Sequence, residues 1–120
     1  MLIKYSNAMF YKHLIKNAHN LAEGTYLRCQ IAHDNFIIVK KNGNLLAYKN
    51  ICPHQNRPLD DNSGRILDEG NDYLRCQHHG ALFTLDTGQC IAGPCQGQNL
   101  KQVTLITEEE NVYLITINHH

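Results

Sequence analysis

Ile51-Cys52-Pro53-His54 and Cys76-Gln77-His78-His79-Gly80 are the segments whose reading decides the fold. Each offers one thiol and at least one imidazole beside a Pro or a Gly, in the order Cys-x-His and then Cys-x-x-His. A single Cys or His is usually packed or solvated. Two mixed clusters, each following a stretch of strand composition, point instead to a metal centre.

Outward from these segments the pattern is β. Thr25–His33 alternates Leu27, Cys29 and Ile31 against Tyr26, Arg28 and Gln30. Phe36–Lys41 follows, and Asn42-Gly43-Asn44 is a hairpin turn into Leu45–Ile51, which delivers Cys52 to the first loop. Residues 58–64 form a polar loop, Tyr73–Cys76 enters the second metal loop, and Ala81–Leu85 leaves it towards the turn Asp86-Thr87-Gly88-Gln89. Gly93-Pro94 marks another turn. Val103–Thr107 and Val112–Ile117 read as a closing hairpin around Glu108-Glu109-Glu110-Asn111, a solvated acidic turn. Towards the N-terminus, Leu14, Ala18, Leu21 and Ala22 have helical spacing, but Asn17 and Asn20 disfavour a helix interior. A short strand at Tyr11–Ile15 and a turn ending at Gly24 are expected.

The 120 residues suit one domain with one core. Eleven basic and eleven acidic side chains cancel, so no global field draws the chain to nucleic acid or an anionic membrane. Apolar runs such as Phe36-Ile37-Ile38-Val39 are strand-sized, and the first twenty residues lack the apolar stretch of a secretory signal, so a cytoplasmic location is expected. An odd count of five cysteines argues against a disulfide framework and for ligation by some of them. Ser6-Asn7-Ala8 before Met9, and His119-His120, read as tag residues and are assigned no role.

The ligand order also bears on which metal is bound. Zinc accepts two thiolates and two imidazoles in a tetrahedral shell. The single residue between Cys52 and His54 is tight for chelating one tetrahedral ion. A dinuclear cluster relaxes this, because each loop can send its Cys to one iron and its His to the other. Cys76-x-His78 repeats the first spacing, so His78 stays an alternative. Gly80 favours His79, since glycine permits a turn that lets the chain fold close around a cluster.

Cys52-Pro53-His54, Cys76-x-x-His79-Gly80, Phe83-x-Leu85-Asp86-Thr87-Gly88-Gln89-Cys90 and Gly93-Pro94 together resemble the Rieske ferredoxin family. The likeness is specific over residues 51–94 and looser outside them. It implies an all-β fold, an antiparallel β-sandwich or small barrel spanning residues 9–118, with a cluster-binding subdomain at 52–94. It further implies a [2Fe-2S] cluster with Cys52 and Cys76 on the inner iron, His54 and His79 on the outer, and Gly93-Pro94 covering a third side. Two departures are visible: the spacer of residues 55–75 is long for the family, and Asn56 stands where a small residue is common.

With four protein ligands, no open iron position is left for a substrate, which implies one-electron transfer. The high-potential members carry a disulfide between the ligand loops and hydroxyl side chains after the second His. Arg57, His78, Ala81 and Phe83 occupy the matching positions, which implies a potential near the bottom of the Rieske range. The resemblance implies a soluble ferredoxin between a flavin-dependent reductase and a terminal oxygenase. Alternatives are the small subunit of a nitrite reductase, partnered by the reductase large subunit, and a structural Cys2His2 zinc module. The oxygenase catalytic subunit is set aside on length. A docking face is expected around His54, Gln55, Arg57, His78 and His79. Cys29 is read as core and Cys90 as packed beneath the cluster loop, while Cys95 stays open between a free surface thiol and a packed one.

Overall fold

The computed structural model describes residues 2–5, 8–53, 57–59, 66–67, 70, 72–76, 80–95 and 97–119, with backbone alone at 2–5, 8 and 118–119. Its strands are β1 (Leu2–Tyr5), β2 (Ala8–Leu14), β3 (Tyr26–Ile31), β4 (Asp34–Lys41), β5 (Asn44–Lys49), β6 (Tyr73–Arg75), β7 (Leu82–Thr84), β8 (Cys90–Ala92), β9 (Gln102–Val103), β10 (Leu105–Glu108) and β11 (Asn111–His119). The fold is all-β, and among the described residues no helix is long and apolar enough to cross a membrane.

Among the described residues three antiparallel sheets form, ordered β1-β2-β11-β10, β3-β4-β5-β9 and β6-β7-β8. The second sheet is built on the expected hairpin. Asn42 (φ 54°) and Gly43 (φ 78°) both take the left-handed conformation that a two-residue turn of matching twist requires. The Glu23 carboxylate accepts the backbone N–H groups of Asn42 and Gly43, and these hydrogen bonds hold its pKa below the ordinary value.

β4 explains why Phe36-Ile37-Ile38-Val39 is apolar without a break. All four are buried, because both faces of the strand are covered. Ile37 and Val39 enter a core shared with Tyr48, Leu59, Ile66, Leu74, Phe83 and Leu100. Phe36 and Ile38 enter a second core with Ile15, Ala18, Ala47, Val112 and Leu114. The second sheet thus separates the first sheet from the subdomain holding the short third sheet. Burying each of these aliphatic side chains stabilises the fold by about 1.5–3 kcal/mol.

Three local features differ from the sequence reading. The first sheet begins upstream of residue 9, with Leu2–Tyr5 pairing to residues 8–11. The expected strand Val103–Thr107 is broken at Thr104: Val103 pairs with Ala47 in the second sheet, and Leu105 with Leu114 in the first. One chain segment therefore changes sheets and ties the two layers together. The acidic turn is exposed as expected but shorter, since Glu108 lies in β10 and pairs with Lys12, whose Nζ also sits 4.4 Å from the Tyr113 ring centroid.

Candidate metal centre

β5 sends alternate residues to opposite cores: Leu45 and Ala47 to one, Leu46 and Tyr48 to the other. The chain beyond keeps this alternation and turns Cys52 into the subdomain core, 2% exposed. There the Cys52 N–H donates to the Arg57 carbonyl at 2.7 Å, closing the first loop. The second loop closes in the same way. Cys76, 1% exposed, donates its N–H to the Ala81 carbonyl at 2.9 Å, and Gly80 N–H returns to the Cys76 carbonyl at 2.9 Å. Gly80 has φ +71°, and a Cβ there would meet nothing within 4 Å, so the backbone angle rather than lack of space favours glycine. Two loops thus carry a buried thiol at their head, each closed by the cysteine's own amide five residues on.

Two interior polar groups hold the frame. Asn50, 1% exposed, accepts the Leu59 N–H on its side-chain oxygen at 2.8 Å, fixing the chain that returns from the first loop. Its own N–H donates to the Asn35 carbonyl at 2.8 Å. Tyr48 donates its hydroxyl to the Leu85 carbonyl, and burial with the nearby Asp86 charge pushes its pKa up to about 12. Neither residue was singled out from the sequence, although a lone Asn two places before Cys52, following the buried strand β5, is a usable signal. Asn50→Ala leaves the buried Leu59 amide without this acceptor and is expected to cost about 1–3 kcal/mol by chemical denaturation. A loss below about 0.5 kcal/mol, typical of surface changes, would contradict the role.

The third loop corrects the reading of the cysteines. Cys90 and Cys95 form a disulfide, with Cα atoms 5.9 Å apart, so Cys90 packs in the subdomain core as expected but not as a thiol, and Cys95 is neither free nor at the surface. The odd count concealed a close pair bracketing the Gly93-Pro94 turn, and Cys-x-x-x-x-Cys around Gly-Pro was the available signal. This bond joins neither ligand loop to the other. Gly93 (φ +100°) packs on the second loop, where a Cβ would lie 2.9 Å from Ala81 Cα.

Of the five cysteines, Cys90 and Cys95 are consumed by each other. Cys29 is a half-buried thiol on β3, packed against the other core and with its pKa raised by burial. Cys52 and Cys76 are the buried cysteines of the subdomain that lie outside the disulfide. His54, Gln55, Asn56, His78, His79 and most of residues 60–70 lie outside the described residues; Arg57 is exposed at the end of the first loop. Among the described residues no group of three metal-capable side chains forms. Two buried cysteines outside the disulfide, heading matched loops, fit the thiolate half of a cluster held by two Cys and two His.

The sequence matches the family described as Rieske [2Fe-2S] domain over residues 12–110, and the chain belongs to it. Domains of this family bind a [2Fe-2S] cluster and transfer electrons. The carnitine monooxygenase oxygenase subunit of Acinetobacter baumannii is 30% identical over 112 residues, covering 85% of this chain and 29% of that protein. Human apoptosis-inducing factor 3 is 30% identical over 95 residues, 79% of this chain and 15% of that one. The chain therefore spans less than a third of the length of these curated relatives. In fold it is similar to the ferredoxin of carbazole 1,9a-dioxygenase from Nocardioides aromaticivorans, with TM-score 0.71, 17% identity, and 86% and 95% of the two chains covered. The terminal oxygenase of carbazole 1,9a-dioxygenase from Novosphingobium gives TM-score 0.71 at 20% identity, over 88% of this chain and 29% of that one.

Proposed function

We propose that this chain is a soluble one-electron carrier of low potential, passing electrons from a flavin-dependent reductase to a terminal oxygenase. Its cluster ligands are Cys52 and Cys76 on the inner iron and His54 and His79 on the outer, within a domain of residues 9–118 whose cluster-binding part is 52–94. The observation that carries this reading is the pair of matched loops. Each presents a buried, unoxidised thiol, while the other two subdomain cysteines are withdrawn into a disulfide. When bound, the [2Fe-2S] group supplies reversible one-electron transfer.

The chain's own part is to hold that group without offering a substrate position. Four protein ligands would complete its shell, and Leu59, Leu74 and Phe83, buried in the same core as Cys52 and Cys76, would keep water from the thiolate side. The terminal-oxygenase partner is supported by the relationship to the carnitine monooxygenase oxygenase subunit and by the fold shared with a ferredoxin described in complex with its oxygenase.

Metal and sulfide analysis of the purified protein, with EPR after reduction, tests the site: two irons and two sulfides per chain are expected. A colourless protein with stoichiometric zinc would overturn it. The carrier role is tested by mixing reduced protein with terminal oxygenases of its source organism, where rapid reoxidation by one of them is expected and none by any would refute the role. Arg57, exposed beside the first loop, belongs to the proposed docking face. Arg57→Glu is expected to slow this transfer several-fold at low salt, as loss of a steering charge does, and to leave the midpoint potential almost unchanged. A shift in potential alone would remove Arg57 from the docking face.

A further inference from the structure

We infer that the Cys90–Cys95 disulfide is a brace for the second ligand loop, acting through the contact of Gly93 on Ala81. The inference rests on the ligand assignment proposed above. A bond that closes only residues 90–95 constrains the unfolded chain less than a long-range one, so its main consequence is local. What it constrains is the Gly93-Pro94 turn. Gly93 lies so close to the Ala81 backbone that no side chain fits between them. Ala81 in turn supplies the carbonyl that receives the Cys76 N–H. Displacing the turn therefore removes the support behind the bond that orients Cys76.

The far side of the third loop is pinned as well. Cys90 N–H donates to the Gln98 carbonyl and Gln98 N–H to the Cys95 carbonyl, both at 2.9 Å. Both sulfur-bearing residues are buried, 3% and 1% exposed, which shields the bond from bulky thiol reductants and makes it a fixed element rather than a switch. The disulfide has a second effect. It withdraws two soft thiol ligands from the neighbourhood of Cys52 and Cys76, where they would compete for iron.

Alkylation of the unfolded, unreduced protein followed by mass spectrometry is expected to label Cys29, Cys52 and Cys76 and to leave Cys90 and Cys95 protected. In the cluster-loaded protein, Cys90→Ala/Cys95→Ala is expected to speed cluster loss, followed by visible absorption, at least about tenfold, the scale seen when groups supporting metal ligands are removed. Hydrogen exchange at the Cys76 and Gly80 amides should accelerate with it. Gly93→Ala keeps both cysteines and should give the same two effects, whereas Cys29→Ala should give neither. Labelling of all five cysteines would overturn the brace, as would wild-type exchange at Cys76 and Gly80 in both the double variant and Gly93→Ala. Protein that lacks iron but shows protected Cys90 and Cys95, with faster exchange in the variants, would support the brace and refute the ligand assignment instead.

Discussion

Cys52→Ser and Cys76→Ser are each expected to abolish the visible absorption and the reduced-state EPR signal, while Cys29→Ser leaves both intact. The structure separates these thiols. Cys52 and Cys76 head the two closed loops of one buried core, and Cys29 packs against the other. Serine removes the soft thiolate that iron–sulfur clusters require but keeps the backbone amide. The bonds to Arg57 and Ala81 are therefore preserved, and the loops can still close. Far-UV circular dichroism of the variants is accordingly expected to retain the β spectrum of the parent. Cluster occupancy should fall at least about tenfold. Full occupancy in either variant would eliminate that cysteine as a ligand.

The midpoint potential is expected near about −150 mV, at the bottom of the range for centres with two His ligands. The chain-level reason lies at Ala81 and Phe83. Both are fully buried, one closing the second loop and the other in β7, and neither carries a hydroxyl. A donor to sulfur stabilises the reduced, more negative state and raises the potential. Ala81→Ser supplies such a donor at a loop position already fixed by the Cys76 hydrogen bond. If that donor favours the reduced state by about 1 kcal/mol, the potential rises by on the order of 40 mV for one electron. Protein-film voltammetry of parent and variant checks both statements. A parent value above about +100 mV, still inside the family's range, would contradict the first, and an unchanged or lower value for Ala81→Ser the second.

Much of this architecture is legible in the amino-acid sequence. Asn42-Gly43 announces its turn because few residue pairs tolerate two consecutive left-handed angles. Leu27, Cys29 and Ile31 alternate with exposed Arg28 and Gln30 and do face a core. The Cys/His spacing marked both loops, whose cysteines the structure buries. Illegible features share a physical cause, in that they are decided by distant partners. β8 has three residues, too few for a period, and exists because β7 offers an edge. The break at Thr104 follows from two sheets competing for one segment. Cys90 and Cys95 looked unrelated because a cysteine count carries no information about which side chains a turn brings together.

The double burial of β4 has a consequence at the opposite end of the hairpin. Shifted by one position, Phe36 and Ile38 would exchange places with Ile37 and Val39, and both faces would still be apolar. Hydrophobicity thus scarcely distinguishes the correct phase of this strand from the wrong one. For β5 the phase is decisive, because Leu46 and Tyr48 lead in even steps to Asn50 and Cys52, whereas the odd steps end at Ile51. The device that sets the phase is the Asn42-Gly43 turn, locked by Glu23. A two-residue turn and a carboxylate far along the chain from the loop therefore decide whether the first thiol faces the interior or the solvent.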